Sequence, residues 1–209
     1  MRLLFIGLIG ISVLMFSCTD NYDPILIENA SITSTSELEE QLNSKSIVSE
    51  GKSYLPESFL PIDTTLKLYK SAGYIRSTYK SLPMSMRAYS DSLGNEIIIY
   101  EWDLVTSELS EAEANKIKMD FEAQHDQYVP KYNSLINDIS QQIGEPFRIG
   151  KNLEQSSLEA YKKWTTATFW KSEKQVVELR LLLVPHQIYR IILKNMILNE
   201  SPKNIKLRS

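Results

Sequence analysis

Glu101 and Asp103 flank Trp102 in a run of β-branched and aromatic residues, Ile97-Ile98-Ile99-Tyr100-Glu101-Trp102-Asp103. Residues two apart on a strand project from the same face, so these two carboxylates are placed side by side. Paired carboxylates beside an aromatic are the equipment of glycoside cleavage, one acting as acid and the other as base or nucleophile. The same spacing describes the solvent side of a half-buried strand, which is the simpler reading. Glu122 and His125 stand at Glu-x-x-His spacing, which puts both on one helical face, as in carboxylate-rich metal proteins. Such centres need a second copy of the motif, and the chain has only two histidines. His125 therefore reads more simply as a hydrogen-bonded structural residue, and His186 as part of a turn after Pro185. Trp164 and Trp170 fall on one side of a strand alternation, where they form either an aromatic platform for a sugar or part of the core.

The remaining catalytic patterns are missing. There is no Gly-x-Ser-x-Gly elbow for a serine nucleophile and no glycine-rich loop to cradle phosphate, in a chain with only seven glycines. A single cysteine, Cys18, excludes an intramolecular disulfide and a thiolate zinc site. With a net charge of −3 and scattered Lys and Arg, the chain lacks the basic footprint of a nucleic-acid binder. No cofactor is expected.

Cys18 has a more specific context. Arg2 precedes an apolar run from Leu3 to Phe16, which is shorter than the roughly twenty residues that span a bilayer and suits the hydrophobic part of a secretory signal. Leu14-Met15-Phe16-Ser17-Cys18 resembles a lipobox, with small Ser17 before the cut and Cys18 as the residue to be lipidated. Met15 and Phe16 depart from the commonest pattern, in a way similar to the relaxed boxes of Bacteroidota lipoproteins. That resemblance covers only about the first 23 residues and implies a thioether-linked lipid at Cys18. Each buried methylene contributes roughly 0.8 kcal/mol, so several acyl chains hold a soluble domain firmly at a membrane. Asp20 and Asp23 partly match the acidic signal that sends such lipoproteins to the cell surface, so the periplasmic and the surface-exposed side of the outer membrane both stay open. Asp63-Thr64-Thr65 and Asp91-Ser92-Leu93 likewise resemble the short O-glycosylation sites of exported Bacteroidota proteins, with Thr64 and Ser92 as acceptors.

The elements that must position these residues follow from patterning. Residues 18–53 are rich in Ser, Thr, Glu and Asn and read as a lipidated N-terminus and flexible tether, with a short helix through Leu42 begun by the capping spacing of Ser36-Glu37-Leu38-Glu39. A single α+β domain is expected over 54–198 and a polar tail over 199–209. Thr64 to Ala72 fits helix and strand equally, with Gly73 ending it. Met84–Ser90 and Glu96–Leu104, joined by Asp91-Ser92-Leu93-Gly94-Asn95, read as a hairpin. From Ser110 to Gly144, apolar residues recur at Ala114, Ile117, Phe121, Tyr128, Tyr132, Leu135, Ile139 and Ile143, the stripe of one long helix. Pro130 should kink it or divide it in two. Tyr161–Trp170, Gln175–Val184 and Ile188–Ile197 read as an antiparallel meander.

The expected fold is thus α+β: an antiparallel sheet, made of the hairpin and the C-terminal meander, packed against one long helix that Pro130 interrupts. The expected function is a cell-envelope lipoprotein with a non-catalytic binding domain, meeting the membrane through its lipid and either an envelope protein or a glycan through the domain. The competing expectation is a glycan-directed hydrolase outside the cytoplasm that uses Glu101 and Asp103.

Overall fold

A computed structural model describes residues 24–47, 53–76, 82–103, 112, 121–150, 164–184, 188–200 and 206. The expected signal segment 1–17, Cys18, His186 and the expected helical turns from Ser110 to Asp120 other than Ala112 lie outside the described residues, as do the side chains of Glu122 and Trp164.

Seven antiparallel strands form one open sheet: β1 (Lys45–Ser46), β2 (Tyr69–Arg76), β3 (Met84–Ser90), β4 (Glu96–Asp103), β5 (Trp164–Lys171), β6 (Gln175–Val184) and β7 (Ile188–Ile197). Their order is β1-β2-β3-β4-β7-β6-β5, so two meanders meet where β4 pairs with β7. With helices α1 (Ile32–Gln41) and α2 (Phe121–Ile143), the domain is α+β. The chain leaves central β4, passes along α2 and starts again at the far edge on β5.

The β3–β4 hairpin closes as its sequence requires. Gly94 takes a φ of 83°, and the Asp91 carboxylate accepts from the backbone N–H of Leu93 and Asn95 and from the Asn95 side chain. Burial opposes charge on Asp91, but those hydrogen bonds, the Asn95 side chain's first, hold its pKa below the usual value. Gly73 does not end β2. It lies inside the strand, where its carbonyl accepts from Ile47 N–H.

Helix α2 lays Tyr128, Val129, Tyr132, Leu135 and Ile139 on the front face of the sheet, against Leu179, Leu181, Ile191 and Leu193 among others. It runs undivided through Pro130, which sits on its exposed side, where water can satisfy the carbonyl that proline leaves without a donor. Gly144 ends it with a φ of 87°, the left-handed stop seen at many helix C-termini.

Two further features depart from the sequence reading. Residues 24–47, assigned by composition to the tether, are built into the domain. Ile25 and Ile27 are core residues, and Ile27 is tied in by side chains from distant elements. Its N–H donates to Gln142 Oε1, and its carbonyl accepts from Gln175 Nε2 and Asn195 Nδ2. Helix α1 starts at a Ser31 cap, with Ser34 completing the capping box, five residues before Ser36. A few well-placed apolar residues outweigh a polar average. The second departure is on the back face, where the segment from Leu55 to Leu68 packs Leu55, Leu60, Ile62 and Leu68 onto Tyr89, Ile97, Ile99, Val176 and Met196. Strand β4 is consequently buried on both sides, which explains its unbroken Ile97-Ile98-Ile99 run.

Among the described residues, no helix is long and apolar enough to cross a membrane.

Candidate functional site, a charged half-face of the sheet

The back face changes character along the strands. The row Val176, Met196, Ile97 and Tyr89 is apolar and covered. The next row across the register is Phe169, Glu178, Lys194, Ile99 and Arg87, followed by Ala167, Arg180, Ile192, Glu101 and Ser85, and then by Leu182, Arg190 and Asp103. Period-two alternation therefore delivers three acids and four bases to one surface from β3, β4, β6 and β7.

They pair. One oxygen of Glu101 is engaged by Arg87, and the other lies 2.7 Å from an Arg190 nitrogen. Arg190 also forks onto Asp103, its Nε donating to Oδ2 at 2.7 Å. Glu178 accepts from Arg180 Nε at 2.6 Å and from Lys194 Nζ at 3.0 Å. Lys194 Nζ lies 4.8 Å from the centre of the Phe59 ring, so the covering segment closes over the cation that borders the charged zone. At the outer edge the Arg148 guanidinium stands 5.6 Å from the centre of the Phe169 ring.

The acids lie deep and the arginines lie over them. Glu101, Asp103 and Glu178 are buried, whereas Arg87, Arg180 and Arg190 keep between a quarter and about a third of their side chains exposed. A guanidinium has five N–H donors, so each arginine can hold its carboxylate and still offer donors outward. Solvent on this half-face therefore meets arginine rather than carboxylate. Arg87 hydrogen-bonds one oxygen of Glu101, and the other oxygen, buried and without a hydrogen bond among the described residues, lies at ion-pair distance from Arg190.

The other sequence candidates are dispersed. Trp170 is 1% exposed on the front face, where its indole N–H donates to Ser140 Oγ. It is part of the core and cannot serve as a sugar platform, because α2 covers the ring. His125 is half-buried on α2, its Nδ1 3.3 Å from Asp126 Oδ1. Among the described residues, no group of three His, Cys, Asp or Glu is placed to hold a metal ion. Ser92 is exposed at the hairpin tip and Thr64 is half-buried in the covering segment.

Sequence reasoning reached the two acids but not their partners. Arg87 lies on β3 and Arg190 on β7, and only the pairing of β4 with β7 brings Arg190 to Asp103. The usable signal was Glu178-Leu179-Arg180, polar residues at even spacing in an otherwise apolar strand. No protein-family model matches this chain, and neither a curated protein nor a solved structure matches it.

Proposed function

We propose that this chain is a lipid-anchored cell-envelope protein whose α+β domain is a non-catalytic binding module, with the charged half-face as its recognition surface. The engagement of Glu101 by both Arg87 and Arg190 carries this reading. The acids are committed to holding guanidiniums in place, and pre-oriented guanidiniums suit recognition better than proton transfer. The anchor is supported by a lone cysteine directly after an apolar, signal-like run.

Each half has its own test. Palmitate labelling of the full chain should give a lipidated product that is lost in Cys18→Ala; equal labelling of the two sinks the anchor. For the surface, a photo-crosslinking residue is placed in cells at Ile188, which is exposed and shares its face with Arg190, and separately at the hairpin tip residue Leu93. A discrete crosslinked product is expected from position 188 and not from 93, and it should disappear with Arg190→Ala. Crosslinking that is the same at both positions, or indifferent to Arg190, removes the surface assignment.

A further inference from the structure

At the outer edge of the sheet, beside β2, Leu55 N–H donates to Leu68 O and Lys70 N–H donates to Ser53 O, both at 2.8 Å. These two bonds bracket Tyr54 and Tyr69, which form an antiparallel bridge. The pair is therefore of the non-hydrogen-bonded kind, whose Cα atoms approach to about 4.5 Å and whose side chains leave on the same face. Alternation turns Leu55 and Leu68 inward to the core, and it turns the two tyrosines outward, where they are 65% and 46% exposed. They line a groove of about 630 Å³ with Pro56, Glu57, Leu66 and Lys67, within the roughly 300–1,000 Å³ of small-molecule sites.

We infer that this groove is a subsite for a neutral saccharide. Each phenol ring presents an apolar face and a polar tip, which suits the C–H face and the hydroxyls of a pyranose. The two charged residues at the rim, Glu57 and Lys67, are of opposite sign, so the groove selects for neither an anion nor a cation. Its wall mixes the apolar Leu55, Pro56 and Leu66 with the two phenols and the two charged residues, an amphipathic lining like the surface of a pyranose. The inference rests on the reading of the domain as a binding module but not on the lipid anchor, and the site is separate from the arginine half-face.

Affinity electrophoresis of the full-length protein tests it, with gels containing soluble starch, mannan, xylan or a β-glucan, and polygalacturonate as the anionic comparison. At least one neutral glycan should retard the protein. Tyr54→Ala/Tyr69→Ala should weaken that retardation at least tenfold, whereas Tyr54→Phe/Tyr69→Phe, which keeps both rings, should retain most of it. Matched thermal melts of the three proteins exclude loss of fold. Retardation by none of the neutral glycans, retardation by polygalacturonate only, or retardation unchanged in the double alanine variant overturns the site. Retardation lost in Arg87→Ala/Arg190→Ala but kept in the tyrosine variant overturns it too, while leaving the binding-module reading in place.

Discussion

Arg76 on β2 and Glu39 on α1 form a doubly bonded ion pair that is almost wholly removed from water: Nε donates to Oε2 at 2.8 Å and the second nitrogen reaches Oε1 at 2.5 Å. Ser44 adds a third bond to Glu39, and the carbonyl of Pro24 accepts from Arg76. The pair thus fastens the N-terminal strap and α1 to a strand near the edge of the sheet. Taking one partner from a buried pair leaves an uncompensated charge, at a cost of about 3–5 kcal/mol. Arg76→Ala should lower the stability measured by urea unfolding by that amount. Arg76→Met combined with Glu39→Leu should lose much less, because neither charge is left behind. Equal losses in the single and the double variant would show that packing, not charge, decides this contact.

The same pair bears on Tyr100, which is fully buried on β4. Burial, reinforced by the negative charge of Glu39, pushes its pKa from 10.0 up to about 12. The unfolded chain therefore releases this proton before the folded one does. Below pH 10 the contribution is complete, and it is lost as pH rises from about 10 through about 12, by roughly 3 kcal/mol at most. Tyr132 moves in the same direction, chiefly through burial, and adds to the effect. In Tyr100→Phe, urea midpoints taken at pH 9, 10, 11 and 12 should fall less steeply than in the parent. An identical slope would assign the alkaline loss to other groups.

The sheet was readable because its strands follow simple periods. Val177, Leu179, Leu181 and Leu183 alternate with Glu178 and Arg180, and β6 and β7 have the bounds that their residues imply. Thr64 to Ala72 stayed ambiguous because a bulge between Lys70 and Ala72 breaks the alternation at the start of β2. The strap at Ile25 and Ile27 was missed for a different reason. Its burial depends on Gln142, Gln175 and Asn195, each more than 100 residues away in sequence, and no local window contains them. The candidate site was legible on one strand only, since Glu101 and Asp103 show their shared face, while Arg87 and Arg190 depend on which strands become neighbours.

Arg190 serves two carboxylates, so its removal should be felt at both. Arg190→Ala should cost about 2–4 kcal/mol, below the full penalty of breaking a buried pair because the arginine is a third exposed and partly screened by water. Adding Glu101→Gln and Asp103→Asn to Arg190→Ala should recover part of the loss, since two buried charges then vanish together. Arg190→Lys should rescue incompletely, because an ammonium cannot fork across two carboxylates. Unfolding curves for the variants give the coupling directly, and a coupling near zero would mean that the acids do not depend on Arg190.

Ile27 decides whether the segment around residues 24–47 is a tether or part of the fold. Its side chain is fully buried among core residues. Its backbone is held on one side by Gln142 of α2 and on the other by Gln175 and Asn195 of β6 and β7. Ile27→Ala should therefore cost about 2–5 kcal/mol, the range for deleting buried methyl groups and leaving a cavity. Gln142→Ala should add a smaller loss, on the order of 1 kcal/mol, for the amide that pairs with Ile25 and Ile27. Glu37, exposed on α1, is the control position, where an alanine should change stability by under about 0.5 kcal/mol. If Ile27→Ala behaves like the control, the strap does not belong to the core and the folded domain starts later in the chain.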